Sequence, residues 1–176
     1  MASESEEVAG DSSPATEQGL VDRIVAAYPV VFALAALVAT GAQVVFLERP
    51  LVESALVSFL AFTAGFQGLW AFLGHYFRSD EVAASIGWPA GNPFQKEVAF
   101  TNLAFGVLGV LCIWFHGKFW LATGIGKAVF VLGAQSVHIR EMRARGNARP
   151  GNRAEFVLVN VAVQSTILVL LAFRFG

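Results

Sequence analysis

The sequence predicts an all-α fold: a polytopic membrane helical bundle of five transmembrane helices. Three observations predict it. Hydrophobic residues make up 56% of the 176 and charged residues only 14%, against roughly 45–50% and about 25% in soluble domains. The charges fall in clumps separated by five apolar runs of about 18–24 residues, and roughly 20 residues suffice for a helix to cross hydrocarbon. Most of these runs also lack the broad polar stripe of a soluble amphipathic helix.

The elements follow in chain order. Residues 1–20 are acidic and polar, with Glu4, Glu6, Glu7, Asp11 and Glu17. They lack the basic start and apolar core of a secretory signal. They hold too little apolar surface to offset ordering entropy, so a disordered tail is expected there. Residues 21–176 form a single transmembrane bundle domain, with spans at about 24–47, 54–77, 93–116, 119–141 and 155–174. In lipid each span must satisfy its own backbone hydrogen bonds, which makes each a helix. Pro50 in LERPLVE (47–53) discourages one continuous helix across the first connection. HGK (116–118) is a tight turn between antiparallel neighbours, while residues 78–92 and 140–155 are the longer loops.

The third span opens in GWPAGNPFQKEVAF, residues 87–100. Asn92 is a favoured N-cap, and Pro93 suits the first helical position, where its missing N–H costs nothing. Gln95 at the third position completes a capping-box pattern. Glu97 then lies in the second turn, where the helix dipole favours an anion.

Lysine and arginine counts set the orientation. The tail and the two longer loops share one side and carry Arg23, Arg78, Lys96, Arg140, Arg143, Arg145, Arg149 and Arg153; the other side carries Arg49, Lys118 and Arg174. That asymmetry puts the N-terminus in the cytoplasm and the C-terminus outside a cell membrane. Trp88, Trp114 and Trp120 sit near span ends, where interfacial anchors are expected.

The few polar residues inside the spans converge. His75 ends the second span, and Glu97 and Asn102 open the third. Lys127, Gln135, His138 and Glu141 fall within an arc of about 120° on the fourth, at 100° per residue. Asn160 and Gln164 lie one turn apart on the fifth, and Gln43 and Gln67 add amides from the first two. Such groups normally face a bundle interior or water, which predicts a polar cavity open to the cytoplasm. Lys127 is the least ordinary of them, because it sits near mid-depth, far from either interface for a side chain to reach. Glu97 doubles as a simple helix-start anion. His75, Glu97, His138 and Glu141 are of the right types for iron, zinc or haem, yet no repeated Glu-x-x-His pattern of a di-iron bundle is present.

Function classes narrow accordingly. A net charge of −1 and no basic, aromatic-studded patch argue against nucleic acid. Cys112 is the only cysteine, so no disulfide forms within the chain. No phosphate loop, nucleophile elbow, zinc-protease or dinucleotide motif occurs. No cofactor is assigned and none is expected. The preferred reading is a non-enzymatic membrane protein that binds or passes a small solute or a proton. An accessory subunit of a membrane assembly is one alternative, and a metal- or haem-dependent redox protein is another. The partners are the lipid bilayer and, for the subunit reading, a second copy or another membrane chain.

GWPAGNPFQKEVAFTNLAFGVLG resembles the marker of a family of small prokaryotic integral membrane proteins with no assigned function. There a GWP-x-GSPFQ-like loop leads into a helix with a glutamate, then an asparagine and a glycine. The matching residues here are Gly87, Trp88, Pro89, Gly91, Asn92, Pro93, Phe94, Gln95, Glu97, Asn102 and Gly106. HIREM (138–142) and NARPGN (147–152) are similar to the family's second half, and the likeness covers roughly residues 56–173. Asn92 stands where a serine is expected, and both residues cap helices. A looser likeness links the arrangement to DoxX-like four-helix membrane proteins. The resemblance implies a membrane bundle and carries no activity, substrate or cofactor.

Overall fold

The structure is a computed structural model and describes residues 14–176. It is all-α, with six helices among the described residues: α1 (Pro14–Leu47), α2 (Leu51–Phe77), α3 (Ser79–Ile86), α4 (Phe94–Leu111), α5 (Lys118–Arg145) and α6 (Ala154–Phe175). A single 3₁₀ turn, Pro150–Asn152, lies between α5 and α6. The expected acidic tail falls outside the described residues up to position 13, and from Pro14 onward the chain is helical.

Four helical segments are long and apolar enough to cross a membrane: Ala26–Leu47, Leu51–Phe77, Lys118–Arg145 and Ala154–Phe175. The expected third span, 93–116, is not among them. Its helix α4 stops at Leu111 after 18 residues, about 27 Å at 1.5 Å per residue, and its first turns hold Gln95, Lys96 and Glu97. The chain leaves the helix through a turn at 112–117. There the Trp120 indole N–H donates to the Cys112 carbonyl at 2.7 Å, and Gly117 takes a left-handed φ of 65°. Trp120 is accordingly buried rather than a surface anchor, whereas Trp114 is exposed. Helix α3 occupies what the sequence suggested as loop. Asp80 and Glu81 stand in its first turn, where acids are favoured. Val82, Ala83 and Ile86 bury its inner face, and Gly87 ends it with a φ of 81°.

Helices α2 and α4 pack along their length, as do α5 and α6, while α4 and α5 touch little despite being consecutive. The α2–α4 seam is made of glycines. A Cβ on Gly68 would stand 2.9 Å from the Gly106 Cα, and one on Gly109 would stand 2.6 Å from the Gly65 Cα and 2.7 Å from the Leu60 carbonyl oxygen. Only bare backbones fit there, the close helix approach that small residues permit. Opposite Gly109, residues Leu60–Phe66 are wound as a π-helix, a wider turn that shifts the facing register of α2. Leu56, Phe59, Leu60, Ile167 and Leu171 fill the core at the α1–α2 connection end of the bundle.

At the opposite end the two long connections are tied together. The Ile86 carbonyl accepts from Asn147 Nδ2 at 2.9 Å and from Asn152 Nδ2 at 2.7 Å. The two connections therefore meet at one end of the bundle. Replacing Gly109 with Val should destabilise the bundle by about 2 kcal/mol through overpacking. Gly133→Ala, at a position facing open space, should instead leave stability unchanged or slightly raised. Thermal unfolding of detergent-purified protein, followed by circular dichroism, checks both.

Candidate functional site

Between the α2–α4 pair and the α5–α6 pair lies a cavity of about 670 Å³. Six of the predicted polar residues line it: His75, Asn102, Lys127, Gln135, His138 and Asn160. Gln67 lines it too, with Tyr28 from α1, Val82 and Ile86 from α3, and Trp88 from the glycine-rich loop. Most of its wall is apolar: Trp70, Leu73, Phe77, Val98, Phe130, Val131 and Val137. The remaining three predicted residues lie elsewhere. Glu97 is exposed on α4, pointing off the seam. Glu141 is paired with Arg145 at 3.2 Å, one turn further along α5. Gln164 is 1% exposed inside the bundle and its amide oxygen has no hydrogen-bond partner. Gln43 serves the other end, where it donates to Ser58 Oγ at 2.8 Å and so joins α1 to α2.

The two histidines are held, each by an amide. His75 Nδ1–H donates to Gln95 Oε1 at 2.9 Å. Gln95 is thus buried beneath α2 and does not close the capping box, although Asn92 Oδ1 does accept from the Phe94 N–H at 3.0 Å. His138 Nδ1–H donates to Asn152 Oδ1. In a neutral ring each such bond fixes the tautomer and leaves Nε2 as the acceptor. Trp88 stacks on the His138 ring, with centroids 5.4 Å apart and planes within 7°. The GWP loop therefore contributes a wall of the site rather than only an interfacial anchor. Trp88 and Asn152 both stood in stretches that the sequence singled out, yet nothing in their spacing said that they would meet on His138.

Lys127 lies near the middle of the bundle, 3% exposed. Its ammonium stands 5.7 Å from the Phe105 ring centroid and 5.6 Å from that of Phe130. Among the described residues no carboxylate pairs with it. Ring faces attract a cation but do not replace the hydration that it loses on burial. Two further groups are left similarly short, because the buried amide oxygens of Gln67 and Gln135 have no hydrogen-bond partner.

His75, Glu97, His138 and Glu141 are not gathered into a metal site: among the described residues no group of three or more His, Cys, Asp or Glu side chains is placed to hold an ion. Fold and cavity together define the class, an all-α bundle with four potential membrane spans around a largely apolar pocket floored by a lysine. The chain belongs to a family of unknown function (DUF6790), which matches residues 22–175. Comparison with curated proteins and with solved structures returns no match.

Asn152 is fully buried and bonds both His138 and the Ile86 carbonyl. Asn152→Ala should therefore cost about 2 kcal/mol, because it strands buried partners. The half-buried Asn147→Ala should cost less. Thermal unfolding gives the magnitude, and faster amide hydrogen exchange across 146–153 would localise the loss.

Proposed function

We propose that the protein is a multi-pass integral membrane protein whose cavity binds or passes a small solute or a proton. One observation carries the reading: a buried ammonium, Lys127, faces a cavity without a carboxylate partner among the described residues. Intramembrane ionisable groups are expensive and mark substrate or ion pathways. The membrane assignment draws on the four apolar segments and on α1, whose Ala26–Leu47 portion is only 11% buried and exposes Val31, Leu34, Val38 and Val45. Lipid is the natural cover for that face. In this reading the fifth crossing is α4, short but paired along α2. To it also belong the GWP loop as family marker and the looser DoxX-like arrangement, which rest on the quoted residues alone.

The orientation in this reading puts the α2–α4 and α5–α6 connections, with the N-terminus, in the cytoplasm and Gly176 outside. The support is the excess of arginine in those two connections, the pattern of cytoplasmic loops. Cysteines placed at Arg149 and at Arg174 should react with a membrane-impermeant maleimide from opposite sides of sealed vesicles. Labelling of both from one side would reject the topology.

Lys127→Met tests the site. Removing an unpaired buried charge should leave helicity intact and thermal stability equal or higher. Solute-dependent flux into proteoliposomes, or solute-dependent stabilisation in detergent, should fall at least tenfold. Retention of the full response in a well-folded Lys127→Met protein would overturn the reading.

A further inference from the structure

We infer that the cavity takes a carboxylate carried on an apolar body, with the carboxylate against Lys127 and the body along the walls of α2 and α5. This rests on the cavity reading above and narrows it to a chemical class. Charge comes first. Among the described residues that line the cavity none is Asp or Glu, while Lys127 and Arg78 are both cations. Arg78 sits at the rim and is bonded to Glu81 at 3.3 Å. Among the described residues Lys127 is the one cation deep in the site, and its neighbours are ring faces rather than anions. A cavity of that sign rejects cations and favours an anion that can enter the low-dielectric space beside the ammonium.

The number of donors then limits the anion. Phosphate and sulfate sites are built from arginine forks, helix N-termini or several converging N–H groups. Here one ammonium is joined by the side-chain amides of Gln67, Gln135, Asn102 and Asn160. The Asn102 and Asn160 amide groups are already donating to the Val98 and Phe156 carbonyls. That set matches a single charge spread over two oxygens. Shape completes the argument. A volume of about 670 Å³ lies within the range of drug-sized ligand sites, far more than a bare carboxylate needs. Trp70, Leu73, Phe77, Phe130 and Val137 line the remainder. A small hydrophilic acid would leave those walls wet, whereas an alkyl or aryl body would cover them.

Two sources share this chemistry: a fatty acid entering from the bilayer, and an aryl carboxylate entering from water. Trp70 and Trp88 both line the cavity, so a brominated ligand reports its own arrival by contact quenching. The experiment titrates detergent-purified full-length protein with dibromostearic acid and, separately, with its uncharged methyl ester. The acid is expected to quench saturably, with the ester at least tenfold weaker. Lys127→Met should raise the half-quenching concentration of the acid at least tenfold and leave that of the ester unchanged. Displacement of the acid by 4-butylbenzoate is the expected result for an aqueous source, and displacement by unbrominated stearate alone is that for a membrane source. Equal quenching by acid and ester overturns the carboxylate inference and leaves the cavity reading standing. No saturable quenching by either also overturns it. The solute-dependent stabilisation of the native protein and of Lys127→Met then decides the broader reading separately. The comparison of acid with ester uses the native chain, so it holds even if the variant misfolds.

Discussion

The backbone contact between α2 and α4 is the constraint on which the remaining architecture depends. Gly65 and Gly68 on one helix meet Gly106 and Gly109 on the other at distances that exclude any Cβ. Helices this close are locked in rotation as well as in position, since a small turn of either would bring a side chain into the seam. The π-helical stretch Leu60–Phe66 lies at this contact. An extra residue in one turn rotates everything after it by roughly 100° relative to a plain α-helix. Downstream of that turn are Gln67, Trp70, Ala71, Gly74 and His75, all cavity residues. The glycine seam and the wide turn thus decide which face of α2 looks into the bundle.

The second helix pair is organised differently, and the contrast creates the cavity. Helices α5 and α6 meet through side chains: Ile167 and Leu171 stand over Gly124, at the same end as the apolar core. Toward the other end the two pairs part, and polar residues take the place of aliphatic ones. Lys127 stands where this change occurs. Below it Trp120, Thr123 and Gly124 are buried in dense packing; above it Val131, Gln135 and His138 border open volume. A charge placed deeper would be sealed in protein, and one placed higher would be hydrated. Its position at the floor sets the ammonium in a low dielectric, where charge interactions are strongest.

Much of this arrangement was legible in the residues. Apolar runs bounded by charge clumps gave α2, α5 and α6 to within about four residues at either end and the C-terminal end of α1, because long uninterrupted runs leave little choice; α1 itself starts at Pro14, ten residues before its apolar run, in a stretch expected to be disordered. The arc of Lys127, Gln135 and His138 on α5 is simple helical geometry, and all three line the cavity. Glu141 lies in the same arc, but another turn carries it past the rim, where Arg145 one turn on captures it. Periodicity assigns a face and says nothing of depth. Helix α3 escaped notice because eight residues give too short a pattern, and its burial depends on Gly151 and Asn152 arriving from 66 residues away. The π turn left no mark in the sequence at all, since LAFTAGF is unremarkable as a plain helix. The early end of α4 was signalled only by the bond from Trp120 to Cys112, a contact between residues eight apart that no local propensity encodes.

The amides explain how the cavity keeps its shape while its central charge has no carboxylate partner among the described residues. His75 is fixed by Gln95, and His138 by Asn152 and Trp88. Each bond links a long helix to a neighbouring segment, α4's first turn in one case and the α5–α6 connection in the other. Hydrogen bonds of this kind are worth about 1 kcal/mol each, but they act where the two helix pairs diverge around the cavity. Polar side chains at this end thus fall into two groups. Those near the rim are bonded to one another and fix the walls, while deeper in, among the described residues, Lys127 has no carboxylate partner and the amide oxygens of Gln67 and Gln135 have no hydrogen-bond partner. The bonded rim thus holds the walls, and Lys127 lies at the floor between them.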